Sequence, residues 1–327
     1  MTETTIIAKM AEKVSKEIFR VFKWERKRSK DRNWNCAIPE IHKTHAGTHP
    51  SDVVYFYRHP YLGEDVYINT DLKSYAKDSI KKPSITNAIT SLAKATHCAN
   101  HSDSFEKKYI HTDEQYDVVG MLFIYNHCGN YDSDFNTILN SVKQEELQLE
   151  HTNKLFILSP TKVQKLCDIS TDIRLLIGDL ELPQPENYSF LYPDLVLTKN
   201  RLSDNESATL ETLLSDVIII KHDYDDHNDI KAGFVVYYSK KNPTIDDFIY
   251  LLDSLSHYQM LDKNRKIRIR YTHKEQKEDD FANVFECALT KYAAIWGKKK
   301  ESLDKKISFE IITTFSKKYS ESVLGME

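Results

Sequence analysis

The spacing of hydrophobic residues in the first 75 positions of the chain changes from a helical pattern to a strand pattern. Met10, Val14 and Ile18 recur every fourth residue, which predicts a helix over residues 8–24. A polar stretch follows, and after it come two short runs of mostly apolar residues with a Pro- and Gly-containing turn between them, at residues 52–58 and 65–75. Two such runs around a turn predict a strand hairpin.

Helical and strand patterns then alternate as far as residue 180. Pro83 opens a helix whose apolar face begins at Ile85. The later elements are an apolar run, a helical stretch and a second apolar run, at residues 118–127, 135–150 and 154–160. This alternation predicts a mixed α/β domain over residues 1–180.

The second half of the chain has its own pattern. Three prolines and many polar residues follow Glu181, so residues 181–215 are interpreted as a linker or a long connection. Residues 216–327 then show strands and helices in the order ββαβαβ, which predicts a smaller α+β sandwich with its helices on one face. A chain of 327 residues also exceeds what one hydrophobic core usually supports, about 250–300 residues.

Composition excludes several classes of protein. Hydrophobic residues make up 40% of the chain and aromatic residues 11%, which is enough for packed cores and excludes a mostly disordered protein. The mean hydropathy is -0.54, and no apolar run approaches the ~20 residues of a membrane helix. The N-terminus lacks the pattern of a signal peptide. The five scattered cysteines indicate a reducing compartment, so we expect a cytoplasmic protein.

Charge is distributed unevenly along the chain. The net charge is -4, yet residues 1–110 hold 19 Lys and Arg against 13 Asp and Glu. The basic excess is greatest between Arg20 and Arg32. Such a cluster in an otherwise acidic protein can bind phosphate groups, although a solvated helix end is an alternative interpretation. The candidate residues for binding nucleic acid are Arg20, Lys23, Arg26, Lys27 and Arg28.

Two acids and a lysine are placed together by the predicted hairpin. Asp71 and Lys73 are two residues apart near the end of the second strand, so their side chains point to the same face. If Tyr57 pairs with Val66, Asp52 lies opposite Asp71. Cross-strand Cβ atoms are ~4.5–5.5 Å apart, which is close enough for two carboxylates to share one divalent cation.

This combination suits phosphodiester cleavage. A divalent cation removes the repulsion between two carboxylates, polarises a phosphate and lowers the pKa of a bound water. A lysine beside it can orient or deprotonate that water, or stabilise the charge that develops on phosphorus. The alternative is a surface hairpin with a Lys–Asp pair. Other acid-x-Lys triplets begin at Glu25, Asp229, Glu275 and Asp304, but none of them ends a strand that follows another strand beginning with an acid.

Residues 8–165 resemble the PD-(D/E)XK nuclease superfamily, which has the restriction-endonuclease-like fold. The order of helix, hairpin, helix and two further strands matches, although Pro-Ser-Asp replaces Pro-Asp before the first strand. The resemblance implies that Asp52 and Asp71 bind Mg²⁺ or Mn²⁺ and that Lys73 is the catalytic lysine. It also implies a glutamate on the first helix that assists at the metal, with Glu17 as the best match and Glu12 as the second.

The expected function is therefore metal-dependent cleavage of nucleic acid, with DNA as the expected substrate. By analogy with similar two-domain nucleases, we expect the nuclease subunit of a bacterial defence system that acts with a helicase or ATPase partner. The C-terminal domain would contact that partner or form a homodimer. The alternative is a non-catalytic, nuclease-like protein that only binds a partner or nucleic acid.

Histidines precede the first acid of the hairpin. His42, His45 and His49, with Cys36 nearby, could form a tetrahedral zinc site. Their spacing matches no familiar zinc module, and contacts to phosphate are an equally simple role for them. Zinc therefore stays an open alternative for this stretch.

Overall fold

The computed structural model describes residues 3–27, 33–112, 114–143, 154–195, 205–261, 265–272 and 278–312. These residues form two compact units that divide between Cys167 and Asp168. The division lies inside a helix, whereas the change in composition points to residue 180, because the prolines begin only after that helix ends. Within the described ranges, no helix has both the length and the apolar character needed to cross a membrane.

The first unit alternates helices and strands. Its helices are α1 (Glu3–Val21), α2 (Pro39–His42), α3 (Lys82–Ala99), α4 (Asp103–Tyr109), α5 (Phe135–Ser141) and α6 (Pro160–Gly178), which continues into the second unit. Its strands are β1 (Glu25–Arg26), β2 (Trp34–Asn35), β3 (Thr48–His49), β4 (Val53–Arg58), β5 (Asp65–Tyr75), β6 (Tyr116–Asn126) and β7 (Leu155–Leu158). Five strands form a mixed sheet in the order β1-β4-β5-β6-β7, and β2 pairs with β3 separately.

Helix α1 covers one face of the five-stranded sheet. Its buried stripe includes Val14 and Ile18, as the periodicity predicts, and also Phe19. The ring of Phe19 lies 4.9 Å from that of Tyr55 on β4 and 5.9 Å from that of Phe123 on β6. Aromatic packing therefore fixes α1 across the middle strands.

Helix α3 covers the opposite face of the same sheet. Ile85 and Leu92 pack with Leu122 of β6. Leu122 is adjacent to Phe123, so the two side chains point to opposite faces of the sheet. Gly120 allows the close approach, since a Cβ atom there would lie 2.4 Å from Oγ1 of Thr96. Asp71 pairs with Leu122, so its side chain shares the α3 face.

The β4–β5 hairpin has the predicted register. Tyr57 pairs with Val66 and Val53 pairs with Thr70, in an antiparallel arrangement without an inserted residue. The turn closes with a 2.7 Å hydrogen bond from the His59 N–H to the Glu64 carbonyl. Val53 follows Asp52 and Thr70 precedes Asp71, so this register agrees with the predicted placement of Asp52 opposite Asp71.

The second unit contains the rest of α6 and a second mixed sheet. Its further elements are β8 (Tyr188–Phe190), α7 (Leu210–Leu214), β9 (Val217–His222), β10 (Gly233–Tyr238), α8 (Ile245–His257), β11 (Lys266–Tyr271), α9 (Glu278–Ile295), α10 (Lys300–Asp304) and β12 (Ile307–Ile311). The strand order is β12-β11-β10-β9-β8, with β8–β10 antiparallel and β10–β12 parallel. The predicted mixed α/β class and ββαβαβ order are confirmed.

Helices contact both faces of this second sheet. Helices α8 and α9 pack on the face that carries Val236 and Ile269. On the other face, the Tyr237 hydroxyl donates a 2.8 Å hydrogen bond to Asp172 of α6, which also pairs with Arg270. The prediction of helices on one face is wrong, because the second part of α6, which lies within the predicted first domain of residues 1–180, packs on the other face of this sheet. The interpretation of residues 181–215 as a linker also missed β8, which pairs with β9 through only three residues.

Candidate active site

Asp52, Asp71 and Lys73 lie together where β4 begins and β5 approaches its end. Nζ of Lys73 is 2.7 Å from Oδ1 of Asp71. Oδ2 of Asp52 accepts a 2.7 Å hydrogen bond from the backbone N–H of Leu72, which lies between the other two residues. The hairpin and one backbone hydrogen bond therefore bring the two carboxyl groups and the ammonium group to one place.

Asp71 and Lys73 influence the charge of Asp52. Burial, followed by the negative charge of Asp71, raises the pKa of Asp52 to about 6, although the Leu72 N–H and the charge of Lys73 act in the opposite direction. Burial lowers the pKa of Lys73, but the charges of Asp71 and Asp52 raise it more, so it lies above the ordinary lysine value. The site thus contains a fixed ammonium group and a carboxyl group that favours additional positive charge nearby.

An open pocket gives access to these groups. Asp52, Asn69 and Asp71 line it from the hairpin, and Ser91, Leu92 and Ala95 line it from α3. Carboxylate oxygens are the ligands that Mg²⁺ and Mn²⁺ prefer, so the donor set fits a hard divalent cation. The pocket therefore presents a candidate cation site on the α3 face.

The first 162 residues match a family model described as the GAPS4 protein PD-(D/E)XK nuclease domain. Residues 1–162 belong to the PD-(D/E)XK nucleases. The resemblance stated from the sequence is thereby confirmed for this part of the chain. No curated protein and no solved structure matches the chain.

A buried hydrogen-bond network supports the acid that begins β4 of the nuclease domain. Nε1 of Trp34 donates to Oγ of Ser51 at 2.9 Å, and the Ser51 hydroxyl donates to Oδ1 of Asn69 at 2.6 Å. Ser51 directly precedes Asp52, so this network holds the backbone from which Asp52 projects. Ser51 and Trp34 could not be predicted from the sequence, because residues in an irregular stretch carry no periodic signal.

Asn69 has a second feature that links it to the pocket. Its Nδ2 atom is buried and has no hydrogen-bond partner in the ranges that the structure describes. A buried amide donor without a partner is costly, which makes a ligand oxygen a favourable neighbour. Asn69 lies two positions before Asp71 on the same strand face, and the sequence alone assigned it no role.

The glutamates of α1 approach the nuclease domain from the other face of the sheet. Glu12 forms an ion pair with Arg26 of β1. Glu17 is half-buried and lies about 140° around the helix from Glu12. The assisting role of Glu17 stays a prediction.

The basic residues after α1 have different surroundings. Arg20 is exposed, and Lys23 is half-buried with a left-handed backbone, φ 64°. Arg26 is engaged by Glu12, and Nζ of Lys27 lies 4.0 Å above the ring of Phe56. Burial is the largest influence on Lys27 and lowers its pKa. Arg28 lies outside the described residues.

These contacts change how the basic segment is interpreted. An ion pair and a cation–π contact hold Arg26 and Lys27 against the domain itself. A solvated helix end, the alternative interpretation, would not require such contacts. Arg20 is the exposed cation among the described residues of this segment, and its binding to a nucleic-acid backbone stays a prediction.

Proposed function

We propose that the nuclease domain hydrolyses phosphodiester bonds of DNA with Mg²⁺ or Mn²⁺ as its cofactor. The observation that carries this proposal is the group of Asp52, Asp71 and Lys73 at an open pocket. Membership of residues 1–162 in the PD-(D/E)XK nucleases supports nuclease activity independently. Asp52 and Asp71 hold the metal ion in this proposal.

The two carboxyl groups fit a divalent cation for an electrostatic reason. Their mutual repulsion, together with burial, favours a proton on Asp52 up to a pH of about 6. A divalent cation relieves the same repulsion without a proton. When bound, the cation polarises the phosphate and lowers the pKa of a water molecule.

Lys73 acts as a fixed positive charge. Its pKa lies above the ordinary lysine value because of the neighbouring carboxylates, so the side chain stays protonated at neutral pH. A protonated lysine cannot remove a proton from water. It instead donates hydrogen bonds to the phosphate oxygens and stabilises the charge that develops in the transition state. Asp71 holds the ammonium group in position for this role, and Glu17 assists from α1.

The rest of the chain supplies binding and context. The basic segment from Arg20 to Arg32 contacts the phosphate backbone, with Arg20 as its most exposed described cation. The second unit contacts a helicase or ATPase subunit or a second copy of the chain. The matching family is defence-associated, which supports a role as the nuclease subunit of a bacterial defence system.

A cleavage assay tests the proposal. Plasmid, linear duplex, single-stranded DNA and RNA are incubated with the full-length protein and Mg²⁺ or Mn²⁺. Asp52→Asn and Asp71→Asn should abolish cleavage, whereas Asp117→Asn should not. Asp117 is a matched control, because it also pairs with a lysine at 2.8 Å but lies at the other end of the sheet strands. Nucleic-acid binding without any cleavage by the wild-type protein would indicate the non-catalytic alternative.

A further inference from the structure

Four metal-binding side chains meet inside the first unit, apart from the two acids of the hairpin. Three come from the irregular segment between β1 and β4, and the fourth comes from the last turn of α3. All four are buried, with exposed fractions of 9%, 4%, 2% and 0% for Cys36, His42, His49 and Cys98. Their donor atoms all lie within 4.8 Å of one another.

The separations between the donor atoms are short and similar. Sγ of Cys36 is 3.7 Å from Sγ of Cys98, 3.4 Å from Nδ1 of His42 and 3.2 Å from Nε2 of His49. The two histidine nitrogens are 3.1 Å apart. With all four donor atoms within 4.8 Å of one another, they surround one small site.

These separations match the edges of a tetrahedron around zinc. Zn–S bonds of about 2.3 Å and Zn–N bonds of about 2.0–2.1 Å give edges of about 3.8 Å between sulfurs, about 3.6 Å between sulfur and nitrogen, and about 3.3–3.4 Å between nitrogens. The four distances given above differ from the corresponding edges by about 0.4 Å at most. Two thiolates and two imidazoles in a tetrahedral set are typical of zinc.

We propose that Cys36, His42, His49 and Cys98 bind a Zn²⁺ ion. The site has four protein ligands and is closed to solvent, so its zinc is structural and takes no part in catalysis. The sequence analysis named three of these ligands but chose His45 as the fourth. Cys98 was missed because it is 62 positions from Cys36 and joins the set only through the packing of α3.

Neighbouring groups contact two of these four side chains. The backbone N–H of Ala37 donates to Sγ of Cys98 at 3.0 Å, a contact that stabilises a thiolate. Nε2 of His42 lies 3.0 Å from Nδ1 of His97, which fixes the ring and leaves Nδ1 of His42 for the metal. Metal-binding histidines usually have such a partner on the second nitrogen.

The zinc ion would organise a segment that has little regular structure of its own. Between β1 and β4 the described residues form only a four-residue helix, a short 3-10 turn and a pair of two-residue strands. A pairing of that size is not stable alone in water. Three ligands from this segment and one from α3 tie it to the domain.

The segment also leads directly to the candidate active site. His49 lies three residues before Asp52, and its ring is 5.0 Å from Trp34, which donates to Ser51. Zinc binding therefore fixes the path of the chain into Asp52. A role of zinc in positioning Asp52 for cleavage rests on the proposed nuclease function, whereas the zinc site itself does not.

Metal analysis of the full-length protein tests the proposal. The protein is purified without a histidine tag or chelator, and its metal content is measured by mass spectrometry. We expect about one zinc per chain in the wild type and in Asp52→Asn. Cys36→Ser and Cys98→Ser should lose it, whereas Cys128→Ser and Cys287→Ser should keep it. The two control cysteines are free and lie outside the cluster.

A second measurement covers variants that fail to fold. Wild-type protein is exchanged with Co²⁺, which should produce the visible absorption of a tetrahedral thiolate site, and chelation should lower its melting temperature. A folded wild type that contains no zinc and gives no such cobalt spectrum overturns the proposal. Zinc retained by Cys36→Ser and Cys98→Ser overturns it as well. Asp52→Asn should lose cleavage and keep its zinc. The zinc content therefore tests the zinc site independently of the nuclease proposal.

Discussion

Asp52 changes charge in the pH range where a nuclease would work. Burial and the charge of Asp71 raise its pKa to about 6. A carboxyl with a raised pKa destabilises the metal-free fold as the pH rises from its ordinary pKa of 3.8 through about 6, because the ionised form is the costly one. A divalent cation binds that ionised form and offsets this cost.

Cation binding should therefore strengthen as the pH rises. We expect Mn²⁺ affinity, measured by calorimetry on the zinc-loaded protein, to increase from pH 5 to pH 7 with a midpoint near 6. In Asp71→Asn the affinity should fall, and the midpoint should move to lower pH because one raising charge is gone. Affinity that does not change with pH would contradict the predicted competition between the proton and the metal.

Lys73 should be needed for the reaction and dispensable for binding. Removal of a group that stabilises transition-state charge costs ~10²–10⁴ in rate. We expect Lys73→Ala to lose cleavage by that factor while its dissociation constant for DNA changes little, since one cation contributes only part of the electrostatic affinity. Lys154→Ala, which removes a lysine paired with Asp117, is the control and should cleave normally. Normal cleavage by Lys73→Ala would assign the chemistry to other residues.

Packing between α3 and β6 depends on one position without a side chain. A Cβ atom at Gly120 would meet Thr96 at 2.4 Å and Leu155 at 2.5 Å, whereas one at Gly178 would meet nothing within 4 Å. We expect Gly120→Ala to lower the free energy of unfolding by about 1–3 kcal/mol, because a close-packed core cannot accept an extra carbon without strain. Gly178→Ala, in a helix, should be neutral or stabilising by up to about 1 kcal/mol. Urea unfolding of both variants checks this, and equal stabilities would contradict the packing argument.

Local elements could be predicted where local rules decide them. The β4–β5 hairpin could be predicted from two strand patterns around a turn, and the pairing of Tyr57 with Val66 that was assumed for a regular hairpin is the one observed. Contacts between distant segments were not, because periodicity carries no information about partners. Cys98 reaches Cys36 only when α3 packs on the sheet, and Asp172 reaches Tyr237 across 65 positions in the same way.

Charge along the whole molecule predicts where nucleic acid binds. The basic excess lies in residues 1–110, and Arg20 is an exposed cation next to two that are held within the domain. We expect Arg20→Ala combined with Lys23→Ala to weaken DNA binding and to reduce its dependence on salt by about one to two released counterions. Fluorescence anisotropy over a range of salt concentrations measures both quantities. Exchange of Lys298 and Lys299 in the second unit for alanine is the control, and an equal loss there would contradict this assignment.

The two halves of the chain differed in how much their sequences revealed. The first contains a chemical pattern, two acids and a lysine on a hairpin, that is recognisable without a structure. The second shows its strand and helix order but contains no comparable group, so its fold class was predictable and its role was not. Even the division between the units escaped the sequence, since Cys167 and Asp168 sit within one continuous helix.

Direct detection of a metal ion at the hairpin tests the central claim. Crystals of the full-length protein grown with Mn²⁺ would be measured for anomalous scattering at energies that distinguish manganese from zinc. The account predicts a manganese peak contacted by carboxylate oxygens of both Asp52 and Asp71, with Nζ of Lys73 beside Asp71. No manganese at this site at saturating concentration, or a peak that contacts neither carboxylate, would contradict it.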